Sequence, residues 1–436
     1  MSISTTSGNE PGDAPRVTRL DSGVTVASDL LPSSLSVALG VWVGVGSRHE
    51  SPVEAGSSHL LEHMLFRGTR NYGSAEIDRR FDALGGELNA ATGRDDTAIV
   101  ARVLADEVTD AFPILGEMAA APLLTDVDLE LERRIVLEEI AMIDDDPEEL
   151  VFELLPVAVF GDHPLGRPVI GSRETVAATT GDAMRAFHRS RYAPGRIVVA
   201  AAGAVDHDRL CALAQGLFPT TDVAADDDPG DAPPSGPRIV FRRRDTEQVQ
   251  VAIAGRGPAM GDDRRFALRV LDTILGGTPS SRLFQAVREE RGLAYAVSTF
   301  DDQHHGGGMA GVYLGTRTDN LAEALQVVAE ELERIRTEPV DPDELERAKH
   351  HARARLLLGM ESTQARMGVL GHALVHGLPL RRPAEIADRI DRVTVEDVRT
   401  LAAEVYDPAT LAAAAVGPDE AALRTAVAPV APRAVG

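Results

Sequence analysis

The chain has 436 residues, of which 44% are apolar and 26% are charged, and its formal net charge is −24. This length exceeds one ordinary hydrophobic core, so two or more domains are expected, and the composition excludes a largely disordered protein. The acidic balance disfavours nucleic acid and anionic membranes as partners. The single cysteine, Cys211, excludes an intrachain disulfide and a structural zinc site built from cysteines. No targeting segment and no apolar run of 18 residues is visible, so we expect a cytoplasmic protein.

The first half of the chain contains predicted strands and predicted helices. The polar residues 1–15 predict a disordered N-terminus. Alternating apolar residues from Leu35 to Gly46 predict a long strand, because every second side chain of a strand faces the same side. Turn and capping residues bound further strands at 16–20, 23–28, 87–91, 97–104 and 196–204, and helices at 58–66, 74–84, 105–121, 126–143, 147–160, 180–191 and 206–217.

The order of elements repeats after a break in the middle of the chain. Residues 219–237 are rich in Asp, Pro and Gly, which predicts an exposed linker. Beyond it, Gly68-Thr69 is echoed by Gly277-Thr278, and Tyr192-Ala193-Pro194 by Tyr406-Asp407-Pro408. A long repeat of this kind predicts two homologous domains.

The expected fold class is therefore α+β. Each of the two α/β domains, 16–218 and 238–427, is expected to hold a mixed or antiparallel sheet packed with helices, and the two are expected to face each other as a clamshell. Residues 428–436 are expected to form a C-terminal tail.

The helix predicted over 58–66 carries a candidate metal site. His59 and His63 are four residues apart, so they lie on one face and one turn from each other, as two ligands of a single ion must. Glu62 lies on nearly the same face and can reach a water molecule bound to that ion. This H-x-x-E-H order reverses the commoner zinc-protease motif, and it supplies two ligands and a general base from one helix.

The second half lacks these residues although it repeats the scaffold. When the two Gly-Thr pairs are superposed, Leu268, Leu271 and Asp272 fall on the positions of His59, Glu62 and His63. Histidines that merely filled a core would be expected to recur as often as the other repeated features. Their replacement therefore favours a specialised site in the first domain.

A catalytic zinc ion needs a third protein ligand, which we expect from the acidic helix over 126–143. Glu132, Glu138 and Glu139 are the candidates, and a solvated helix face is the alternative for each of them. Glu139 is the preferred ligand, whereas Glu132, two turns earlier on the same face, could support the site from behind a ligand. Glu62 would take a proton from the zinc-activated water, which then attacks a carbonyl.

Several motifs together resemble the pitrilysin-type inverted-zincin metallopeptidases, in particular their mitochondrial-processing-peptidase-like branch. The resemblance covers about residues 16 to 420 and is carried by the following segments: His59 to Thr69, Leu84 to Ala90 with Thr92, Glu132-Arg133 through Ile140, His163 to Gly166, and Arg288 to Tyr295.

The resemblance implies a zinc-dependent endopeptidase with one zinc ion per chain, acting on short peptides or unfolded segments. It implies that Glu139 is the third ligand beside His59 and His63 and that Glu132 supports the site. It further implies that Asn89 and Ala90 lie on an edge strand that pairs with the substrate backbone, and that Arg288 and Tyr295 reach the substrate from the second domain. Relatives of this length usually pair with a second chain, so a homodimer is expected.

Two alternatives remain open from the sequence. One is a non-catalytic structural or partner subunit that keeps the peptidase fold, and the presence of all four positions, His59, Glu62, His63 and Glu139, argues against it. The other is a catalytic chain whose different partner supplies the Arg/Tyr pair, which the presence of Arg288 and Tyr295 weakens.

Overall fold

A computed structural model describes residues 14–218, 228–234 and 236–435. Most of the predicted N-terminal segment and half of the predicted linker, residues 1–13, 219–227 and 235, lie outside the described residues. None of the helices within the described ranges combines the length and apolar composition that crossing a membrane would require.

Apart from the short helix α6 (Arg173–Ala178), which was not predicted, the elements of the first half agree with the sequence-based bounds to within a few residues. The strands are β1 (Arg16–Arg19), β2 (Thr25–Leu30), β3 (Ser36–Val43), β4 (Glu87–Thr92), β5 (Thr97–Leu104) and β6 (Ile197–Gly203). The helices are α1 (Ser57–Leu65), α2 (Ser74–Leu84), α3 (Val108–Ala120), α4 (Asp126–Asp145), α5 (Pro147–Phe160), α6 (Arg173–Ala178), α7 (Gly181–Arg191) and α8 (His207–Leu217).

The second half contains many elements whose bounds are not predicted above. Its strands are β7 (Ile239–Arg243), β8 (Gln248–Gly257), β9 (Ala294–His304), β10 (Gly307–Arg317) and β11 (Ala412–Gly417). Its helices are α9 (Arg265–Leu275), α10 (Leu321–Thr337), α11 (Pro342–Gly359), α12 (Thr363–Val375), α13 (Pro383–Asp391), α14 (Val395–Val405), α15 (Glu420–Val427) and α16 (Pro432–Val435). A π-helical segment, Phe284–Glu289, precedes β9.

Apart from the additional strand β1, the two halves build sheets of the same topology, which confirms the predicted repeat and the mixed sheets. The first sheet has the order β1-β2-β6-β3-β5-β4 and the second has the order β7-β11-β8-β10-β9. In each sheet one parallel pair, β2 with β6 or β7 with β11, is joined to antiparallel pairs. The outermost strands β4 and β9 therefore correspond to each other.

Contacts divide the described residues into two compact units that interleave along the chain. Within the described residues, the first unit draws on 14–136, 169–218 and 359–382, and the second draws on 137–168, 228–234, 236–358 and 383–435. The boundary at Val136 falls inside α4, which is one continuous helix.

The predicted domains, 16–218 and 238–427, place α5 in the first domain and α12 in the second. Contacts instead place α5 in the second unit and α12 in the first. The physical reason is burial of apolar surface. Leu150, Val151 and Leu155 of α5 lie in one apolar cluster with residues of β8, β10 and β11. Met367 and Leu370 of α12 lie in another with residues of β2, β3 and β6.

Helix α12 packs closely on the first sheet because two glycines leave space for a tryptophan ring between them. A Cβ atom at Gly40 would lie 2.1 Å from Cζ3 of Trp42, and one at Gly371 would lie 2.3 Å from its Cδ2. The indole ring therefore occupies the space that a side chain at either position would need. Trp42 is the only tryptophan of the chain and is 5% exposed.

Candidate metal centre

Helix α1 presents the two histidines as the motif predicts. His59 and His63 are partly buried, and their ring centroids are 4.8 Å apart. The apolar residues between and beyond them have no exposed surface: Leu60, Leu61, Met64 and Leu65. The apolar face thus fixes α1 in the core and directs both imidazoles to the opposite side.

The start of α1 is held by a buried carboxylate that the sequence analysis did not identify. Glu50 is 4% exposed, and its two oxygens accept hydrogen bonds from the backbone N–H groups of Gly56, at 2.8 Å, and Ser58, at 2.6 Å. A helix begins with N–H groups that lack partners within the helix, and an anion there also interacts favourably with the helix dipole. Gly56 has a φ of 91°, and a Cβ atom there would lie 2.7 Å from the carbonyl oxygen of Ile170.

Helix α4 brings one of the three candidate glutamates to the histidines. Ligand atoms of His59, His63 and Glu139 all lie within 4.8 Å of one another. Glu138, by contrast, is exposed on the neighbouring face of α4. Among the residues that the structure describes, this is the one group of three such donors at distances that suit a metal ion.

Glu132 lies behind the histidine pair. It is 2% exposed, and its Oε2 lies 3.0 Å from Nδ1 of His63, while its Oε1 accepts a hydrogen bond from Nε of Arg67. A carboxylate at Nδ1 favours the tautomer that carries its proton there, which leaves Nε2 of His63 as an electron-pair donor. This position supports the predicted auxiliary placement of Glu132.

The charge state of the site suits metal binding. Burial, followed by the charge of His63, lowers the pKa of His59 from 6.5 to about 4. His59 is therefore neutral near pH 7, which is the form that binds a metal ion. Two imidazoles and one carboxylate form the donor set of a catalytic zinc site with three protein ligands, so these residues fit zinc.

Glu62 points to the end of the outermost strand. The hydroxyl of Thr92, the last residue of β4, donates a hydrogen bond of 2.6 Å to Oε2 of Glu62. Burial raises the pKa of the nearby Tyr192 phenol well above its ordinary value, and the charge of Glu62 acts in the same direction. Thr92 belongs to one of the segments that carry the family resemblance, whereas nothing in the sequence indicated that Tyr192 lies near the centre.

Asn89 and Ala90 lie on β4, which pairs only with β5 among the described strands. Asn89 is exposed and Ala90 is partly buried, and Oδ1 of Asn89 accepts a hydrogen bond from the backbone N–H of Ala90. Both residues thus lie on an outermost strand of the first sheet, and the pairing of this strand with a substrate backbone stays a prediction.

Arg288 and Tyr295 form a pair in the second unit. The Arg288 guanidinium carbon lies 4.5 Å from the centre of the Tyr295 ring, and Nη1 donates a hydrogen bond of 2.9 Å to the Tyr295 carbonyl oxygen. Tyr295 is 76% exposed, and Arg288 belongs to the π-helical segment Phe284–Glu289. Widened turns of this type recur at functional sites.

The second half of the chain keeps the scaffold of the centre without its donors. Leu268 and Leu271 of α9 are buried, and the carboxylate of Asp272 accepts a hydrogen bond of 2.5 Å from the hydroxyl of Thr299 on β9. Leu131-Glu132-Arg133 is echoed by Leu345-Glu346-Arg347, which places Arg353 at the position of Glu139, and Arg353 forms an ion pair of 3.1 Å with Asp391. The specialised chemistry is thus confined to α1 and α4.

Comparisons with known proteins agree with this geometry. Residues 25–173 match the family model described as insulinase, peptidase family M16, and residues 178–351 match the model described as peptidase M16 inactive domain. A protein of Mycobacterium bovis named as an uncharacterized zinc protease is 41% identical over 89% of this chain and 90% of its own length. The chain belongs to peptidase family M16.

A further relative and two solved structures show how widely the similarity extends. The uncharacterized zinc protease YmxG of Bacillus subtilis is 34% identical over 88% of this chain and 94% of its own length. The crystal structure of a protease from Helicobacter pylori covers 93% of this chain and 99% of its own, with a TM-score of 0.88 and 23% identity. A peptidase M16 inactive domain from Pseudomonas fluorescens has a TM-score of 0.85 at 22% identity, over 93% and 98% of the two chains.

These matches confirm the predicted resemblance to the pitrilysin-type family and the fold of two sheet-and-helix domains. The assignment to the processing-peptidase-like branch stays a prediction. The second family model, described as an inactive domain, begins within the first half and covers most of the half that lacks metal donors.

Proposed function

We propose that this M16 chain is a zinc-dependent endopeptidase that hydrolyses peptide bonds in short peptides or unfolded segments. The observation that carries the proposal is the convergence of donor atoms from His59, His63 and Glu139 within 4.8 Å, with Glu62 on the same helix as both histidines. The names of the relatives as zinc proteases support it.

His59, His63 and Glu139 would hold the ion, and Glu132 would keep the ring of His63 in the tautomer and orientation that binding requires. A bound zinc ion would lower the pKa of a water molecule and polarise the substrate carbonyl. Glu62 takes the proton of the attacking water as the new C–O bond forms, and it returns that proton to the amide nitrogen as the C–N bond breaks. Glu62 thereby acts first as base and then as acid.

The substrate is proposed to bind as an added strand on β4. An extended segment can pair with the backbone of an outermost strand, whereas most backbone groups of a folded protein are already hydrogen-bonded within it. Asn89 and Ala90 would provide that edge, and Arg288 with the exposed Tyr295 would contact the substrate from the second half of the chain. The net charge of −24 favours basic peptides among those that fit.

We also propose that the active form is a homodimer, as the family resemblance implies. Sedimentation velocity of the full chain measures its mass directly. A species with twice the chain mass of 46.4 kDa is expected, and a monomer with full peptidase activity would contradict the proposal.

The decisive experiment compares the wild type with Glu62→Gln and with Glu138→Gln, an exposed glutamate of α4. We expect about one zinc ion per chain in all three proteins, measured by mass spectrometry of the metal. An unstructured basic peptide is expected to be cleaved by the wild type and by Glu138→Gln, but not by Glu62→Gln. Equal cleavage by Glu62→Gln would refute its role as base, and a metal-free wild type would favour a non-catalytic partner subunit.

A further inference from the structure

The hydrogen bond between Thr92 and Glu62 joins the strand proposed to bind substrate to the side chain proposed to act as base. Thr92 ends β4, two residues after Ala90, and its hydroxyl lies 2.6 Å from Oε2 of Glu62 on α1. A hydroxyl has one proton to donate, and a carboxylate accepts only, so the direction of this hydrogen bond is determined when Glu62 is ionised. Charge-assisted hydrogen bonds of this length are among the stronger ones in proteins.

The turn that follows Thr92 is fixed to the segment that leads into α1. Arg48 and Asp95 form an ion pair of 3.0 Å in which both side chains are 2–3% exposed. The backbone N–H groups of Ser47 and Arg48 donate hydrogen bonds of 3.1 and 2.9 Å to the carbonyl oxygens of Gly93 and Arg94.

Two residues further along the chain, Glu50 binds the start of α1. Strand β4 and helix α1 are thus connected at two points, one through the turn and Glu50 and the other through Thr92. Two connections between rigid elements fix both the distance and the relative orientation of the carboxylate and the strand.

The second unit contains the same type of contact without the catalytic residues. Thr299 lies on β9, which is outermost in its sheet as β4 is, and its hydroxyl donates to Asp272 on α9, the counterpart of α1. The two contacts are similar but not equivalent, because Asp272 stands at the position of His63 and Leu271 at that of Glu62. In the first unit the carboxylate that receives this hydrogen bond is the candidate base itself.

We propose that Thr92 is a positioning residue for Glu62: its hydroxyl holds the carboxylate in the orientation that proton transfer needs and keeps it in register with a substrate strand on β4. This inference rests on the proposed peptidase function. A misplacement of a catalytic group by about 1 Å can reduce the rate by about a hundredfold, so one hydrogen bond that restrains a carboxylate has a measurable effect.

The test uses three variants of the full chain. Thr92→Val keeps the shape and removes the hydroxyl, Thr92→Ser restores the hydroxyl, and Thr299→Val removes the corresponding contact in the second unit. For each protein, kcat and KM for an unstructured basic peptide, the zinc content and the melting temperature are measured. Crystal structures of the wild type and Thr92→Val provide a readout that does not depend on activity.

We expect Thr92→Val to lose about tenfold or more in kcat with a KM within about twofold of wild type and unchanged zinc content. Thr92→Ser is expected to recover most of that loss, and Thr299→Val to lower the melting temperature without lowering kcat. In the Thr92→Val crystal structure, the Glu62 carboxylate is expected to leave its wild-type position.

Three results would overturn the inference: an unchanged kcat in Thr92→Val, an equal loss of kcat in Thr299→Val, or a serine variant as slow as the valine variant. A rise in KM alone would assign Thr92 to substrate binding instead. If the wild type cleaves no peptide, the proposed function fails, and the position of the Glu62 carboxylate in the two crystal structures still decides whether Thr92 positions it.

Discussion

Replacing Glu132 by glutamine tests how the environment of His63 controls metal binding. The change removes a negative charge from a side chain that is 3% exposed and that contacts Nδ1 of His63 and Nε of Arg67. The carboxylate accepts hydrogen bonds at both oxygens, whereas an amide accepts at its oxygen and donates at its nitrogen. Glutamine can therefore satisfy only one of the two contacts.

The size of the expected loss in zinc affinity follows from the two orientations that the glutamine amide can adopt. If its oxygen faces His63, its NH₂ group opposes the Arg67 guanidinium, and a buried donor loses its partner at a cost of about 1–3 kcal/mol. If its NH₂ group faces His63, the ring must accept at Nδ1 and carry its proton on Nε2, which prevents that nitrogen from binding metal. Removal of a group that supports a ligand typically weakens metal affinity by about 10–100-fold, or about 1.4–2.7 kcal/mol.

The assay is competition for zinc between the protein and a chromophoric chelator at pH 7. Glu138→Gln is the matched control, because it makes the same chemical change six residues later on the same helix at an exposed position. We expect the Glu132→Gln dissociation constant to rise by about 10–100-fold and that of the control to stay within about twofold. Equal affinities for the two variants would refute the reasoning.

Three further predictions concern stability. Gly371→Ala should displace the Trp42 ring and lower the free energy of unfolding by about 1–3 kcal/mol, seen as a fluorescence shift and a lower urea midpoint. Gly368→Ala on the same helix is the control, because a Cβ atom there meets nothing within 4 Å. Equal effects of the two substitutions would contradict the packing argument. Glu50→Gln should lower the free energy of unfolding by about 1–3 kcal/mol, because one of two backbone N–H groups at the start of α1 loses its acceptor; an unchanged denaturant midpoint would contradict this. Burial raises the pKa of Asp272 from 3.8 to about 6, so the folded chain keeps a proton that the unfolded chain releases, and wild-type stability falls as pH rises through this window. Asp272→Asn should therefore gain stability relative to wild type between pH 4 and pH 7, by up to about 3 kcal/mol, and a pH-independent difference in melting temperature would contradict the burial argument.

The parts of the centre that could be predicted from sequence are those set by local periodicity. His59, Glu62 and His63 lie within one helical turn, so a helix over 58–66 fixes their relative placement. The choice between Glu138 and Glu139 required more, because both lie on one amphipathic helix and only the rotation of α4 in the fold decides which faces the histidines. The family resemblance indicated Glu139, and the structure places a carboxylate oxygen of Glu139 beside the two histidines.

The contacts that support the centre could not be predicted because they join segments whose spacing carries no periodic signal. Glu50 precedes α1 by several residues of short 3₁₀ turns, and a glutamate there is indistinguishable in sequence from a solvated one. Thr92 reaches Glu62 only because β4 lies at the edge of the sheet beside α1. The exchange of α5 and α12 between the units was missed for a related reason, since an apolar helix does not specify which sheet it covers.

The two copies of the scaffold differ in what burial does to their titratable groups. In the first copy, burial holds His59 neutral, and a neutral imidazole is ready to bind a metal ion without first losing a proton. In the second copy, burial acts on Asp272, whose charged form it disfavours, and the hydrogen bond from Thr299 only partly opposes that effect. A carboxylate in such a place is stabilised by a neighbouring cation, and the repeat offers no histidine pair to bind one. Burial thus favours metal binding in the copy whose helix carries imidazoles, and it leaves a pH-sensitive carboxyl group in the copy whose helix does not.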